Sequence, residues 1–422
     1  MIYVPSRMGQ LNRRALLRQL QKLGVASRAD LAKSLGMSQP TAGKIVDELL
    51  ALDVLEEVAV PFAEAGERNG NGASIPLGRP GRRLRLNESR AKFLAIQLGV
   101  KTTTVAGLAL GIADADRWPV AFDVEKKNPA PAKAWENKLR AAAKSFGGGD
   151  FLGVLLSVPG VVDETANRIL FSPNIHWTET ADFAAIVRRV WDVPVLLVQE
   201  ERALALGHHL ANPDCEDFLL VDFGEGVGGA IIVEGKPLAN PLPICGELGH
   251  TPVLGNRRQC GCGAVGCMET LISRRGLLES FSAADPAGGN SWSELFEYIS
   301  RHGIKLWLAQ ALDAAAAAIA GALNVVGLPR VVITGSLTEL PPAVMQYLSR
   351  AVQNGAMWAR FGRVECLSAP RRRTAGLVAV GIDRLVVPDG GGNHRIAQKF
   401  SSQTPAACRK IHKHTIHKHI HT

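Results

Sequence analysis

The sequence predicts an α/β domain preceded by a small helix-turn-helix module with a β-wing, and three features carry that prediction. From about Ala91 short β-rich runs alternate with turns and helical stretches, the pattern of a sheet with covering helices. Ahead of them, Leu16 to Leu49 holds three closely spaced apolar helical patterns with capping signals between them. The formal net charge of +9 lies at the ends. Residues 1–86 hold 13 Lys/Arg against 8 Asp/Glu, residues 394–422 hold 6 and no acid, and the segment between holds 29 against 31. An end, not the centre, is therefore expected to meet a polyanion.

A chain of 422 residues implies two or three domains. The expected organisation is a winged helix-turn-helix over 1–77, a Gly-Arg-Pro linker over 78–90, a large domain over 91–390, and a basic His-rich tail over 391–422. Arg13, Arg14 and Arg18 interrupt the first candidate helix, which excludes a signal-peptide layout. The longest apolar stretch, Ala314 to Leu323, is bounded by Asp313 and Asn324, is too short to span a bilayer, and is expected to be a buried helix. Seven cysteines, three of them clustered, suit a reducing cytoplasm better than a disulfide framework.

In the N-terminal module Leu16, Leu17, Leu20 and Leu23 form an apolar stripe on the first helix. Ser27 with Asp30 makes a capping box for a second helix, whose Leu31 and Leu35 face inward. Gly36-Met37 turns the chain, and Ser38 caps a third helix that tolerates Pro40 in its first turn. Ala42, Ile45, Val46 and Leu49 form its buried face. Gln39, Thr41, Gly43 and Lys44 are left at its exposed start, where the second helix of such a motif meets base edges. A small helical interaction domain would share this pattern. The sequence downstream favours the DNA reader: Val54 to Val60 is expected as a strand, Ala65 to Ala73 as a Gly-rich tip, and Arg83 to Leu86 as the returning strand of a wing. Gly78-Arg79-Pro80-Gly81-Arg82-Arg83 is slim, extended and basic, and Arg79 and Arg82 suit a narrow minor groove.

Strands are expected in the large domain at Phe93–Gly99, Thr103–Gly111, Phe151–Val158, Val193–Val198, Phe218–Phe223, Gly229–Val233 and Val331–Thr334. Between the last two lies a chemically dense run. Gly246-Glu247-Leu248-Gly249-His250 is followed by Cys260, Cys262 and Cys267, so one His and three Cys fall within eighteen residues. That set closes a tetrahedral Cys3His zinc site, structural because four protein ligands leave no position for water. Reduced, metal-free thiols are the alternative. Glu247 and Glu269 flank the cluster without being needed to complete it. A metal knot that holds two spare carboxylates in fixed positions builds a polar pocket.

Pro159-Gly160-Val161-Val162-Asp163, Asn174-Ile175-His176-Trp177, Gly246-Glu247-Leu248-Gly249-His250 and the Cys260, Cys262, Cys267, Glu269 cluster, in that order, resemble the ROK family of repressors, open reading frames and kinases. The resemblance covers about residues 10–390, and the helix-turn-helix resembles its repressor branch. It implies a two-lobed actin-like fold with the sugar in the cleft, and homodimers or dimers of dimers. It also implies that His250 uses one ring nitrogen on the metal and the other on the ligand.

The kinases of the family carry an Asp followed by Gly-Gly-Thr in their first phosphate loop, and this chain has Gln97-Leu98-Gly99-Val100-Lys101. The second loop keeps its glycines, Gly224-Glu225-Gly226-Val227-Gly228-Gly229, but Glu225 stands where the family has a hydroxyl residue. A carboxylate among phosphates is repulsive. The kinase base lies in an Asn-Asp pair, here Gln199-Glu200, each one methylene longer, and a base shifted by about 1 Å loses roughly a hundredfold. The expectation is a non-enzymatic, cytoplasmic regulator with no membrane partner. It binds double-stranded operator DNA, and a sugar held by Asn174, Glu200, Glu247, His250 and Glu269 controls it. Residual kinase activity on a hexose is the alternative. The alternating His and Lys of the tail (His412 to His421) read as a disordered segment, or as a metal-binding tract.

Overall fold

The computed structural model describes residues 7–58, 82–111, 120–124, 128–147, 150–238, 240, 242–286 and 289–387. Arg79, the expected Gly-rich wing tip and the His-rich tail lie outside them.

The N-terminal module has helices α1 (Arg7–Leu23), α2 (Arg28–Ser34) and α3 (Gln39–Ala51) and a three-stranded sheet of β1 (Ala26–Ser27), β2 (Leu55–Val58) and β3 (Arg83–Leu86). The sheet order is β1-β3-β2, with β3 antiparallel to both neighbours. Ser27 and Asp30 form the reciprocal capping box, and Ser38 Oγ accepts from the Thr41 backbone N–H. Each satisfies helix-end donors that would otherwise lack partners. The apolar spacing of α3 buries Ala42, Ile45, Val46 and Leu49. One expectation fails here. Leu23 is 46% exposed, because α1 ends at that residue and the chain turns away at Gly24, which has a positive φ. β3, the returning strand expected at Arg83 to Leu86, pairs with β2 along its whole length, although it falls in the stretch assigned to the linker.

The large domain contains two five-stranded sheets of the same design. The first uses β4 (Phe93–Leu98), β5 (Thr102–Leu108), β6 (Val120–Asp123), β7 (Gly153–Val158) and β10 (Val195–Gln199), in the order β10-β7-β4-β5-β6. A small hairpin, β8 (Val161–Asp163) and β9 (Arg168–Phe171), follows β7. The second sheet uses β11 (Phe218–Phe223), β12 (Val227–Val233), β13 (Lys236–Pro237), β14 (Arg330–Gly335) and β15 (Glu365–Ser368), in the order β13-β12-β11-β14-β15. In each, the first strand pairs antiparallel with the second and parallel with the fourth. Every residue of β7 and β11 is buried, as the continuous apolar runs of central strands demand. The two first hairpins, β4–β5 and β11–β12, carry the two glycine-containing turns.

Helices α4 (Pro131–Ala143) and α5 (Phe183–Arg188) cover the first sheet. Helices α7 (Glu269–Ile272), α8 (Arg274–Ala284), α9 (Trp292–His302), α10 (Leu306–Val326) and α11 (Pro342–Gly355) build the core of the second lobe. α10 contains the Ala-rich stretch and is long and apolar enough to cross a membrane. One face, including Ala315, Ile319 and Leu323, is buried in that core. Two helices join the lobes. α6 (Glu200–Ala211) leaves β10 for β11, and α12 (Arg373–Gly381) leaves β15 and packs on the first sheet. They cross in close contact: a Cβ on Gly376 would overlap the Ala203 carbonyl, so only glycine allows the approach.

α12 runs into a π-turn over Ile382–Val386, and this segment holds the N-terminal module. Leu16, Leu17 and Leu20 of α1 share one core with Val380, Ile382, Val386 and Val387. Arg14 Nε pairs with Asp383 at 2.9 Å and its Nη2 donates to the Val387 carbonyl at 3.0 Å, with Arg18 also near Asp383. On the other side, buried Lys92 pairs with Asp53 at 2.6 Å.

Candidate functional site

One cavity between the lobes is lined by Asn174, Glu200, Glu247, His250 and Glu269, so the five residues expected to hold a ligand converge. Both glycine turns, Gly99-Val100 and Gly224 to Gly228, line it too. Asn174 follows β9 in a turn, Glu247 precedes and His250 ends a short 3₁₀ turn, and Glu269 opens α7. Glu269 is 5% exposed, and its Oε2 accepts from the Val227 N–H at 2.9 Å, which fixes the carboxylate against the second glycine turn. Burial pushes the Glu247 carboxyl above its ordinary range, against the pull of nearby His250.

His250, Cys260, Cys262 and Cys267 bring one ligand atom each to within 4.8 Å of one another. His250 Nδ1 lies 3.6 Å from Cys260 Sγ, and Cys262 Sγ lies 3.6 Å from Cys267 Sγ. A tetrahedron with zinc–sulfur bonds of about 2.3 Å has edges near 3.8 Å, so the donor set and its spacing fit that ion. The loop is held by its own backbone: Cys260 N donates to Ala264 O at 2.8 Å, Gly263 N to Cys260 O at 3.0 Å, and Asn256 Nδ2 to Cys267 O at 3.1 Å. With Nδ1 turned to the sulfurs, His250 Nε2 faces Glu247 Oε2 at 3.6 Å, so one ring joins the cluster to the cavity. His176 also holds the cysteine loop, donating from Nε2 to the Gly261 carbonyl at 3.2 Å.

The far end of the cavity contains residues that sequence reasoning missed: Glu201, Asp222, Arg371 and Arg373. Glu200 is ion-paired with Arg373, so its carboxylate is committed to a protein partner while lining the cavity. Asp222 binds Arg371 through two bonds of 2.7 and 2.9 Å. Lys101 and Glu225, one from each glycine turn, meet across the cleft at 2.8 Å. Glu201 has no cation partner among the described residues. Burial, with Glu200, Glu247 and Asp222 nearby, holds its pKa well above the ordinary carboxylate value. The run Arg371-Arg372-Arg373 and the Asp at the end of β11 were the available signals. Nothing in their spacing tells which lobe they face.

In the N-terminal module Gln39, Thr41 and Lys44 are exposed and Gly43 is partly so, with open space where its Cβ would be. The Thr41 hydroxyl is bonded to Ser38 Oγ at 2.8 Å. Arg82 is exposed and pairs with Glu57 of β2 at 2.6 Å.

A family model described as the ROK family matches residues 124–379. The xylose repressor of Caldicellulosiruptor bescii is 24% identical over 276 residues, which cover 64% of this chain and 65% of that protein's length. The DNA-binding transcriptional dual regulator NagC of Escherichia coli is 23% identical over 384 residues, 83% of this chain and 86% of that protein. Among solved structures, a ROK family transcriptional regulator described as a homolog of the Escherichia coli MLC protein aligns with a TM-score of 0.68 at 19% identity, covering 91% of this chain and 98% of its own.

Proposed function

The chain belongs to the ROK family, and we propose that it is a sugar-responsive transcriptional repressor of carbohydrate uptake or catabolism genes. The observation that carries this is that the N-terminal three-helix module, with Gln39, Thr41 and Lys44 exposed on its third helix, packs on the extension of the helix that begins at the cavity. Gln39, Thr41, Gly43 and Lys44 would read an operator. Arg79 and Arg82 would follow the wing into the minor groove, Arg82 exchanging Glu57 for phosphate. A homodimer, or a dimer of dimers, would place two recognition helices on half-sites about 10 base pairs apart or a multiple of that.

In the cavity Glu247, Glu269 and Asn174 would take sugar hydroxyls, His250 would donate from Nε2, and Glu200 would contribute while held by Arg373. Zinc on His250, Cys260, Cys262 and Cys267 would cross-link the loop and fix the His250 ring. Its part would be structural. Ligand binding must favour one lobe arrangement, since equal affinity for both shifts nothing. α12 offers the route outward: Arg373 at its start pairs with Glu200 in the cavity, and Asp383 just past its end pairs with Arg14 of α1. This reading places the protein in the cytoplasm with its operator.

The second reading, phosphorylation of a hexose by ATP, draws on the retained glycines of the second turn. Lys101–Glu225 and Arg371–Asp222 weigh against it, because they fill the turns with ion pairs. The test is Glu247→Ala. Operator affinity should stay within about twofold of the parent while the sugar-induced change in affinity disappears, measured by fluorescence anisotropy. A variant that still responds to sugar would remove the cavity from the account.

A further inference from the structure

We infer that this cavity takes an uncharged sugar and rejects its phosphate ester, because the chain's own charged side chains occupy the glycine turn where an anion would sit. The inference rests on the proposed sugar response and names the class of ligand within it.

Glycine turns bind phosphate because absent side chains let an anion reach backbone N–H groups. Here three glycines of the second turn are approached by protein groups instead. A Cβ on Gly224 would lie 2.7 Å from Arg371 Nη2, one on Gly226 2.9 Å from Glu269 Oε2, and one on Gly228 2.6 Å from Glu201 Oε1. The Val227 N–H is already used by Glu269. The glycines are therefore needed to admit a guanidinium and two carboxyls, and a phosphate would have to displace them.

The charges point the same way. Among the described residues, each cation at this end of the cleft has a carboxylate partner: Arg371 has Asp222, Arg373 has Glu200, and Lys101 has Glu225. Glu201 lies beside them with no cation partner among the described residues. A phosphate ester with a charge of about −1.5 to −2 would enter among these carboxyls and find its counter-ions engaged. Two buried polar atoms of cavity-lining residues have no protein partner, Glu201 Oε2 and Arg373 Nε. Arg373 Nε donates and the Glu201 carboxyl can donate or accept, and sugar hydroxyls, themselves donors and acceptors, satisfy both.

Calorimetric titration of the full chain with glucose, xylose and N-acetylglucosamine, and with their phosphate esters, tests this. The free form of the preferred sugar should bind at least tenfold more tightly than its ester. Glu225→Ser, at the open mouth, frees Lys101 and should improve ester binding several-fold while the free sugar changes little. Asp222→Asn, which frees Arg371, should act in the same direction. An ester that binds as well as or better than its free sugar overturns the inference, as does an ester-to-sugar ratio that neither variant moves. If no compound binds while NMR or circular dichroism shows a folded chain, the sugar-response reading itself falls.

Discussion

His208 is a residue whose chemistry is set by its neighbours. It lies on the buried side of α6, 5% exposed, with its ring edge-on to Phe218 at 5.1 Å and no hydrogen-bond partner on either nitrogen among the described residues. Burial first, then Arg372, His209 and Arg330, depress its pKa to about 4. The folded state thus binds fewer protons than the unfolded state between about pH 6.5 and 4, and stability is lost as pH falls through that window. From pH 7 to 5 the loss should be about 2 kcal/mol from this side chain. His208→Leu should remove that share of the pH dependence, read as the difference in urea midpoint between the two pH values. An unchanged difference would show that the imidazole is not held neutral. Single residues were legible in the sequence where a local rule names them. Ser27 with Asp30, Ser38, and the buried face of α3 depend on contacts three or four positions apart. Asn174, Glu247 and Glu269 were legible through their motifs. Glu201 and Arg371 were not, since their meaning comes from partners 27 and 149 positions away: Gly228 for the first and Asp222 for the second.

Among the elements, α12 ties the largest number of functions together. Its start grips Glu200, its Gly376 crosses α6 at backbone contact, and its extension carries the N-terminal module. A helix packed this closely is expected to move as a rigid rod, so a shift at Arg373 reaches Asp383. Asp383→Ala removes the ion pair with Arg14 and leaves the shared apolar core in place. Sugar affinity should be kept, and the ratio of operator affinities without and with sugar should fall at least threefold. An unaltered ratio would place the coupling elsewhere, for example at the zinc loop. The strands with continuous apolar runs, β7 and β11, were legible within two residues. β6, β13 and β15 were missed because edge strands of 4, 2 and 4 residues are too short to establish a period. The role of α12 was hidden for a different reason: its sequence is an ordinary buried helix, and only the path of the chain makes it a link between lobes.

Over the whole molecule, the repeated sheet order explains why two turns far apart in sequence face each other. Each is the first hairpin of its lobe, and the lobes oppose those hairpins across the cleft. This duplicated plan was visible in the sequence only through the family resemblance, since the two halves share topology and not residues. The central claim is that occupancy of the cleft controls the DNA-reading module. The most direct measurement is the affinity of the full chain for DNA from its own promoter region, by fluorescence anisotropy, with and without a panel of free sugars and with ATP present in parallel samples. One sugar should weaken operator binding by tenfold or more without forming ADP. Operator affinity unmoved by every sugar, together with sugar-dependent release of ADP, would contradict the account and make the protein a kinase.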